Sequence, residues 1–241
     1  MDRKVAVVIG AGDALGGAIA KRFAREDLLV CVVRRNGDKL APLVEEIRGA
    51  GGAAEPFGVD ARKEDQMVDL LARIERDHGA IEVAVFNIGA NVSFGILETT
   101  ARVYFKVWEM ACFAGFLLGR EAARHMLPRG RGTILFTGAT ASLRGRANFS
   151  AFTGAKNALR ALAQSIAKEL GPKGIHVAHV VIDGAIDTAF IRDNFPERYA
   201  LKTHDGILNP EHIAENYVLL HRQPRDAWTF ELDLRPWTEG W

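Results

Sequence analysis

Short apolar runs alternate along the chain with longer stretches in which apolar residues recur three and four positions apart. The short runs are Val5 to Ile9, Leu28 to Val33, Ala53 to Val59, Val83 to Phe86, Gly132 to Phe136 and Ile175 to Ile182. They are largely apolar on both faces, as strands buried in a parallel sheet must be. Ala14 to Arg25, Leu40 to Arg48, Glu64 to Asp77, Arg102 to Met126 and Ala151 to Leu170 carry apolar residues on one side and charges on the other. That pattern predicts amphipathic helices. A further helix is predicted from Pro210 to His221, where Pro210 suits the first turn, and a last strand around Trp228 to Leu232. This βαβα order, with right-handed crossovers, predicts an α/β chain with a doubly wound parallel sheet of about seven strands and helices on both faces. Ligands of such sheets sit at the carboxyl ends of the strands, so function is sought there.

Composition narrows the picture without redirecting it. The chain has 241 residues, 48% hydrophobic and 25% charged, and no Pro/Ser-rich linker or charge block divides it, so residues 1–241 are expected to form one domain. A formal net charge of +1 gives no global pull towards nucleic acid or anionic lipid. Cys31 and Cys112 fall in separate elements without CxxC spacing, which points to a reducing compartment such as the cytoplasm. The first apolar run stops at Gly10, too soon for a signal peptide or a membrane span. No spacing suited to a metal is present, and His176 and His179, on opposite faces of the sixth strand, read as structural.

The first strand leads into Gly10-Ala11-Gly12-Asp13-Ala14-Leu15-Gly16-Gly17-Ala18, a glycine-rich turn that opens a helix. Glycine permits the tight turn and close backbone approach, and a helix N-terminus offers free N–H groups to a pyrophosphate. The bland reading is a strand-to-helix turn with no ligand. The second strand ends in Arg34-Arg35, where a site specific for NAD favours a carboxylate against the ribose hydroxyls. Two guanidiniums there argue for the 2′-phosphate of NADP, with NAD as the lesser choice, unless both are simply solvated. Asp13 lies in the same turn and opposes a phosphate. Asp38 stands near the place of a ribose carboxylate, but after Asn36-Gly37 it is expected to cap a helix.

With these motifs in order, the chain resembles the short-chain dehydrogenase/reductase family over nearly its whole length. The family's TGxxxGxG turn corresponds to Ile9, Gly10, Ala14 and Gly16, so Thr and the middle Gly are replaced. Its adenine-contacting Asp after strand three corresponds to Asp60, followed by Ala61. Its NNAG stretch appears as Phe86-Asn87-Ile88-Gly89, half matched. Its Pro-Gly-x-x-x-Thr loop appears as Asp183-Gly184-Ala185-Ile186-Asp187-Thr188, with Thr188 expected near the nicotinamide amide. Alternatively, Asp60 and Asn87 cap loops. The resemblance implies a Rossmann-like fold, an NAD(P) cofactor, a small-molecule substrate, and a homodimer or homotetramer packed through the helices at Arg102 to Met126 and Ala151 to Leu170.

The resemblance also implies an Asn-Ser-Tyr-Lys catalytic set, and here the chain departs from it. Spacing puts Cys112 at the Asn position, Ala139 at Ser, Phe152 at Tyr, and Lys156 unchanged. Phe152 fills the space of a tyrosine without its acidic O–H. The tyrosines nearest in sequence, Tyr104 and Tyr199, are far from this helix in the chain. Ser142 and Ser150 are displaced hydroxyls, too weakly acidic to replace a phenol, and Cys112 suits core filler as well as chemistry. Lys156 either holds the nicotinamide ribose or is a solvated helix lysine.

The substrate side says less. Val92, Phe94, Ile96 and Leu97, with Phe190, Ile191, Phe195 and Tyr199, fall in loops that roof the nicotinamide, which fits an apolar ligand, a lid's own core or a subunit contact. Arg144 and Arg146 either greet a carboxylate or face solvent. Two functions follow: an NADP-dependent oxidoreductase with an unconventional proton donor acting on an apolar carbonyl or alcohol, or a dinucleotide-binding protein without turnover.

Overall fold

Seven strands line up in parallel in the computed structural model, which describes residues 4–240. They are β1 (Lys4–Ile9), β2 (Leu29–Arg34), β3 (Ala53–Gly58), β4 (Ala80–Phe86), β5 (Gly132–Thr137), β6 (Ile175–Ile182) and β7 (Glu231–Leu234). Their spatial order is β3-β2-β1-β4-β5-β6-β7. The chain therefore reverses direction of travel across the sheet between β1 and β4, where Ile9 pairs with Val33 on one side and Phe86 on the other. Loops leaving those two strands diverge, and a crevice opens at their carboxyl ends.

Alternation along the strands builds two cores. Val5, Val7 and Ile9 of β1 face α3 (Glu64–Asp77), α5 (Ala114–Met126) and α6 (Ser150–Leu170), while Ala6 and Val8 face α1 (Leu15–Ala24), α2 (Ala41–Gly49) and α9 (Pro210–Arg222). The expected doubly wound architecture, with helices on both faces, is therefore present. Residue period 2 in the strands and 3.6 in the helices makes both arrangements possible from one chain. Asn209 starts α9 by accepting the Glu211 N–H at 2.9 Å, with Pro210 in the first turn as expected.

Several boundaries differ from the sequence-based expectation, each for a physical reason. β4 begins at Ala80 rather than Val83, because Glu82, which interrupts the apolar run, is neutralised by Arg131 at 2.7 Å. The single helix predicted from Arg102 to Met126 is α4 (Ala101–Trp108), a π turn over Glu109–Phe113, and α5. The wider turn accommodates an extra residue and buries Ala111 and Cys112. The last strand starts three residues late, at Glu231, because Trp228 serves the preceding turn: its ring stacks on His176 at 4.8 Å and its N–H donates to the Gln223 carbonyl. Asn36, not Asp38, caps the short helical turn after β2, accepting the Asp38 N–H at 3.1 Å. Two short helices between β6 and α9, α7 (Ala189–Asn194) and α8 (Pro196–Ala200), have no counterpart in the apolar pattern.

Candidate functional site

The glycine turn after β1 is built by steric necessity. Gly10 has φ +87°, and a Cβ there would lie 2.6 Å from the Asn87 carbonyl oxygen. The N–H groups of Gly10 and Ala11 both donate to the Val33 carbonyl, at 2.9 and 3.1 Å. Asn87 ties the turn to β4, donating from Nδ2 to the Gly10 carbonyl at 3.3 Å and from its backbone N–H to Ile9. A Cβ on Gly16 would run into the Gly10 carbonyl. Around Gly12 and Gly89, by contrast, no atom stands within 4 Å of an added Cβ. Both line a cavity of about 560 Å³ together with Gly10, Arg34, Arg35, Asp60, Ala61 and Asn87. Leu15 is buried in the α1 core, so it offers a ligand its backbone at the start of that helix rather than its side chain. Glycine edges, a free helix start and open space are the cradle that a dinucleotide pyrophosphate requires.

Charge around this cavity is arranged in two groups. Arg34 is half-buried, 3.7 Å from Asp13, and donates to the Lys39 carbonyl, while Arg35 is exposed. Asp13 is 94% exposed at its side chain, so it restrains Arg34 only weakly. Asp60 is clasped by Arg62, whose Nε and Nη2 donate at 2.8 and 2.5 Å. That guanidinium holds the Asp60 carboxyl at about 2, well below the usual carboxylate range, against the opposing effect of burial. Asp60 therefore does anchor its loop, and its N–H also donates to Gln66. The sequence reading missed Arg62, although an Arg two residues after an Asp is the signal for such a local clasp.

Lys156 lies in α6 and is only 2% exposed, which removes the solvated-lysine reading. Its Nζ donates to the Thr137 carbonyl at 2.8 Å and to the Ile88 carbonyl at 3.0 Å. Ile88 also lines the cavity, so the ammonium sits directly behind it. Burial lowers the Lys156 ammonium to about 8. Cys112, from the π turn, is near enough for the two charges to interact; burial raises its thiol, and Lys156 partly offsets that. Phe152, one turn before Lys156, packs in a small apolar cluster with Val107, Ala111, Ala141 and Ala155, and Ala139 rests against it.

The hydroxyls nearest in sequence or space to Phe152 are engaged or directed elsewhere. The buried Ser142 Oγ accepts the Ala139 N–H at 3.1 Å. Ser150, two residues before Phe152, lies about 200° around the helix from it. Tyr104 Oη stands against Gly154, where an added Cβ would lie 2.7 Å away, and Gly154 is again two residues from Phe152. Tyr199 lies in α8 with Lys202 5.5 Å from its ring centre. Tyr217 is buried in α9, its hydroxyl 2.7 Å from Thr137 Oγ1.

The loop after β6 holds a feature that the sequence reading did not single out. Asp183 is fully buried and gathers Thr140 Oγ1 at 2.7 Å, Arg144 at 3.0 Å and Arg235 at 3.5 Å. Arg144 is therefore committed to the protein rather than waiting for a substrate carboxylate, and Arg146 lies over the Phe149 ring. A lone carboxylate closing an apolar strand was the available signal. Gly184 takes φ +148°, Ile186 forms a bridge with Leu208, and the Thr188 hydroxyl accepts the Ile191 N–H to start α7. His179 donates from Nδ1 to Glu231 at 3.0 Å, and burial holds it at about 4, so the ring is neutral at pH 7. Phe94, Ile96, Leu97, Phe190 and Phe195 are exposed on the loops beyond the strand ends. Among the described residues no group of three metal-ligating side chains occurs, and no helix is long and apolar enough to cross a membrane.

Comparison with known proteins agrees with this arrangement. A family model described as short chain dehydrogenase matches residues 4–198. A 3beta-hydroxysteroid dehydrogenase of Mediterraneibacter gnavus is 31% identical over 72% of this chain; the match spans 63% of that protein, less than two thirds of its length. A short-chain dehydrogenase from Rhodopseudomonas palustris has a solved structure 51% identical to this chain, covering 98% of this chain and 100% of its own, with TM-score 0.84. A metagenomic short-chain oxidoreductase solved in complex with NADP is 26% identical, covers 97% of both chains and has TM-score 0.82. With a glycine cradle at the β1–β4 crevice, a buried lysine behind it and a family match over most of its residues, the chain belongs to the short-chain dehydrogenase family.

Proposed function

We propose that the protein is an NADP(H)-dependent oxidoreductase that acts on an apolar carbonyl or alcohol with a proton donor other than tyrosine. The observation that carries this reading is the Lys156 ammonium, buried against the Ile88 carbonyl at the wall of the glycine-edged cavity. Holding a desolvated charge there is costly, and a nucleotide ribose gives it hydroxyl partners. The Gly10–Gly16 turn and the start of α1 would hold the pyrophosphate, Asp60 and Ala61 the adenine end, and Asn87, Gly89, Gly184, Ile186 and Thr188 the nicotinamide end. Arg34 and Arg35, with Lys39 beside them in the same cavity, would take a 2′-phosphate. The NADP complex of the metagenomic relative supports this choice.

When bound, the dinucleotide supplies or accepts a hydride at the carbonyl carbon. The chain's own residues bind and orient it, and Phe152 with its apolar cluster excludes water beside the reacting atoms. A positioned general acid is worth about 10²–10⁴-fold and an oxyanion donor about 10²–10³-fold, so Phe152 and Ala139 favour slow chemistry. The same two residues favour the second reading, a silent NADP(H)-binding protein. We further propose one domain over residues 1–241, a cytoplasmic location, and a homodimer or homotetramer packed through α4, α5 and α6. Phe105 and Tyr104 on α4, 60% and 45% exposed, suit such a contact. A panel of apolar ketones and alcohols run with NADP(H) and NAD(H) tests the function. Slow turnover with NADP(H) is expected; binding without any turnover would favour the silent reading, and neither binding nor turnover would refute both.

A further inference from the structure

We infer that residues 235–240 are a strap that positions the loops on the substrate side of the site, with Asp183 as its anchor and Trp237 as its catch. The inference deepens the oxidoreductase reading, and its kinetic readout rests on that reading. Where the family pattern has Pro, this chain has Asp183, a carboxylate fully buried at the end of β6. A buried carboxylate requires charged or hydrogen-bonding partners, and this one draws them from two other segments. Arg144 comes from the loop after β5, at 3.0 Å, and Arg235 from the chain leaving β7, at 3.5 Å.

Beyond β7 the chain is tied to three loops in turn. The Leu234 carbonyl accepts the Asp183 N–H at 2.8 Å, and Pro236 is buried over Gly184, where an added Cβ would lie 2.8 Å from its Cδ. The Gly240 carbonyl accepts from Arg144 Nη2 at 3.4 Å. That contact reaches the loop in which Ala139 rests against Phe152 and in which Thr140 donates to Asp183 at 2.7 Å. Trp237 Nε1 donates to the His204 carbonyl at 3.1 Å. His204 ends the stretch 189–204, which carries α7, α8 and the exposed Phe190 and Phe195. One short segment therefore joins the loop beside Phe152, the loop that leads to Thr188, and the apolar stretch beyond it.

The catch is built to release. A cavity of about 550 Å³ has Pro236 and Trp237 on one side and Asp187, Lys202 and Asp205 on the other. The strap borders this open space on its way to His204, and Trp237 is 80% exposed. An exposed hydrogen bond beside little apolar packing marks a segment of low local stability. Opening at Trp237 would free the 189–204 stretch to admit a substrate, while the buried Asp183 end stays fixed. Trp237, Arg235 and Asp183 are positioning residues on this account, since they act through the loops they hold.

Limited trypsin digestion of the full chain tests the strap without requiring turnover. Arg192, Arg198 and Lys202 offer cleavage sites within 189–204, whereas Arg235 precedes Pro236 and is not a site. Trp237→Phe keeps a ring and removes the N–H, and a chain ending at Leu234 removes the whole strap. Loss of one hydrogen bond should raise the open population, and with it cleavage within 189–204, about 2- to 10-fold in Trp237→Phe. The shortened chain should be cut there faster still. Cleavage at Arg48, which is bonded to β3 at the opposite edge of the sheet, should not change. With NADPH and phenanthrenequinone, an activated apolar dicarbonyl, Trp237→Phe should raise the KM for the dicarbonyl by a similar factor and leave kcat and NADPH affinity as they were. Equal digestion of the wild type and the shortened chain would overturn the inference. So would faster cutting at Arg48 in step with Arg192, which would make the segment a support of the whole fold, or a fall in kcat or NADPH affinity at constant KM. If the wild type binds NADPH and leaves the dicarbonyl untouched, the oxidoreductase reading is what suffers, and the digestion still decides the strap: faster cutting confined to 189–204 upholds it, and any other pattern refutes it.

Discussion

Replacing Lys156 with Met should change how stability depends on pH, in a direction and by an amount set by burial. In the unfolded chain this lysine titrates at its ordinary value of 10.5, and in the folded protein at about 8. The folded state therefore binds fewer protons than the unfolded state between those values, and stability must rise with pH across that window. Below about pH 8 both states carry the proton, and the fold bears the full cost of a buried charge. Lowering the ammonium from 10.5 to about 8 corresponds to about 3 kcal/mol. Met fills a similar volume without a charge and lacks this slope. It also strips the Thr137 and Ile88 carbonyls of a partner, at about 1–3 kcal/mol each, so the offset between the two proteins at neutral pH is not diagnostic. The slope is. Urea unfolding of both proteins from neutral pH to about pH 10, in a Cys112→Ala background so that the thiol does not overlap, should show wild type gaining most of about 3 kcal/mol on the variant. Parallel curves would show that Lys156 is not desolvated, and the account of its acidity would fall.

Other changes probe other parts of the site. Phe152→Tyr combined with Ala139→Ser should raise carbonyl reduction at least about tenfold, since both restored groups act on the substrate oxygen; no gain across a broad ketone panel would mean that the rest of the pocket has diverged as well. Gly10→Ala places a Cβ 2.6 Å from the Asn87 carbonyl at φ +87° and should cost about 1–3 kcal/mol together with nucleotide affinity, measured by thermal unfolding and fluorescence titration. Asp183→Ala leaves Thr140 and Arg144 without their shared partner and should destabilise by about 2 kcal/mol; an unchanged melting temperature would contradict its role as the tie between the β5 and β6 loops.

Much of the scaffold was legible because parallel strands buried on both faces leave unbroken apolar runs. β1, β2, β5 and β6 are such runs, and α3 and α9 show a clean apolar stripe. The Gly10 turn was legible because a glycine-rich run directly after a strand marks a tight turn into a helix, whereas Lys156 was legible only through its place in the family motif, and its burial came from the fold. What escaped depends on partners distant in sequence. Glu82 hid the start of β4 because its neutralising Arg131 lies 49 residues on and beyond β4. The Asp183 cluster joins side chains from three segments, so no window of sequence contains it. The π turn at Glu109–Phe113 keeps helical periodicity nearly intact and changes only the hydrogen-bond register, to which a hydrophobic pattern is blind. Asn36 and Asp38 are both good capping residues, and only the backbone path after β2 decides between them.

The claim on which the rest stands is that the β1–β4 crevice grips NADP(H) and reads its extra phosphate with Arg34 and Arg35. Titration of nicotinamide fluorescence with NADPH and with NADH, on the wild type and on Arg34→Ala/Arg35→Ala, tests it most directly. A charge-assisted hydrogen bond is worth about 1.5–3 kcal/mol, so the wild type should bind NADPH about 10- to 100-fold more tightly than NADH, and the double variant should lose most of that preference. Equal affinity for the two nucleotides in the wild type, or no binding of either, would contradict the account.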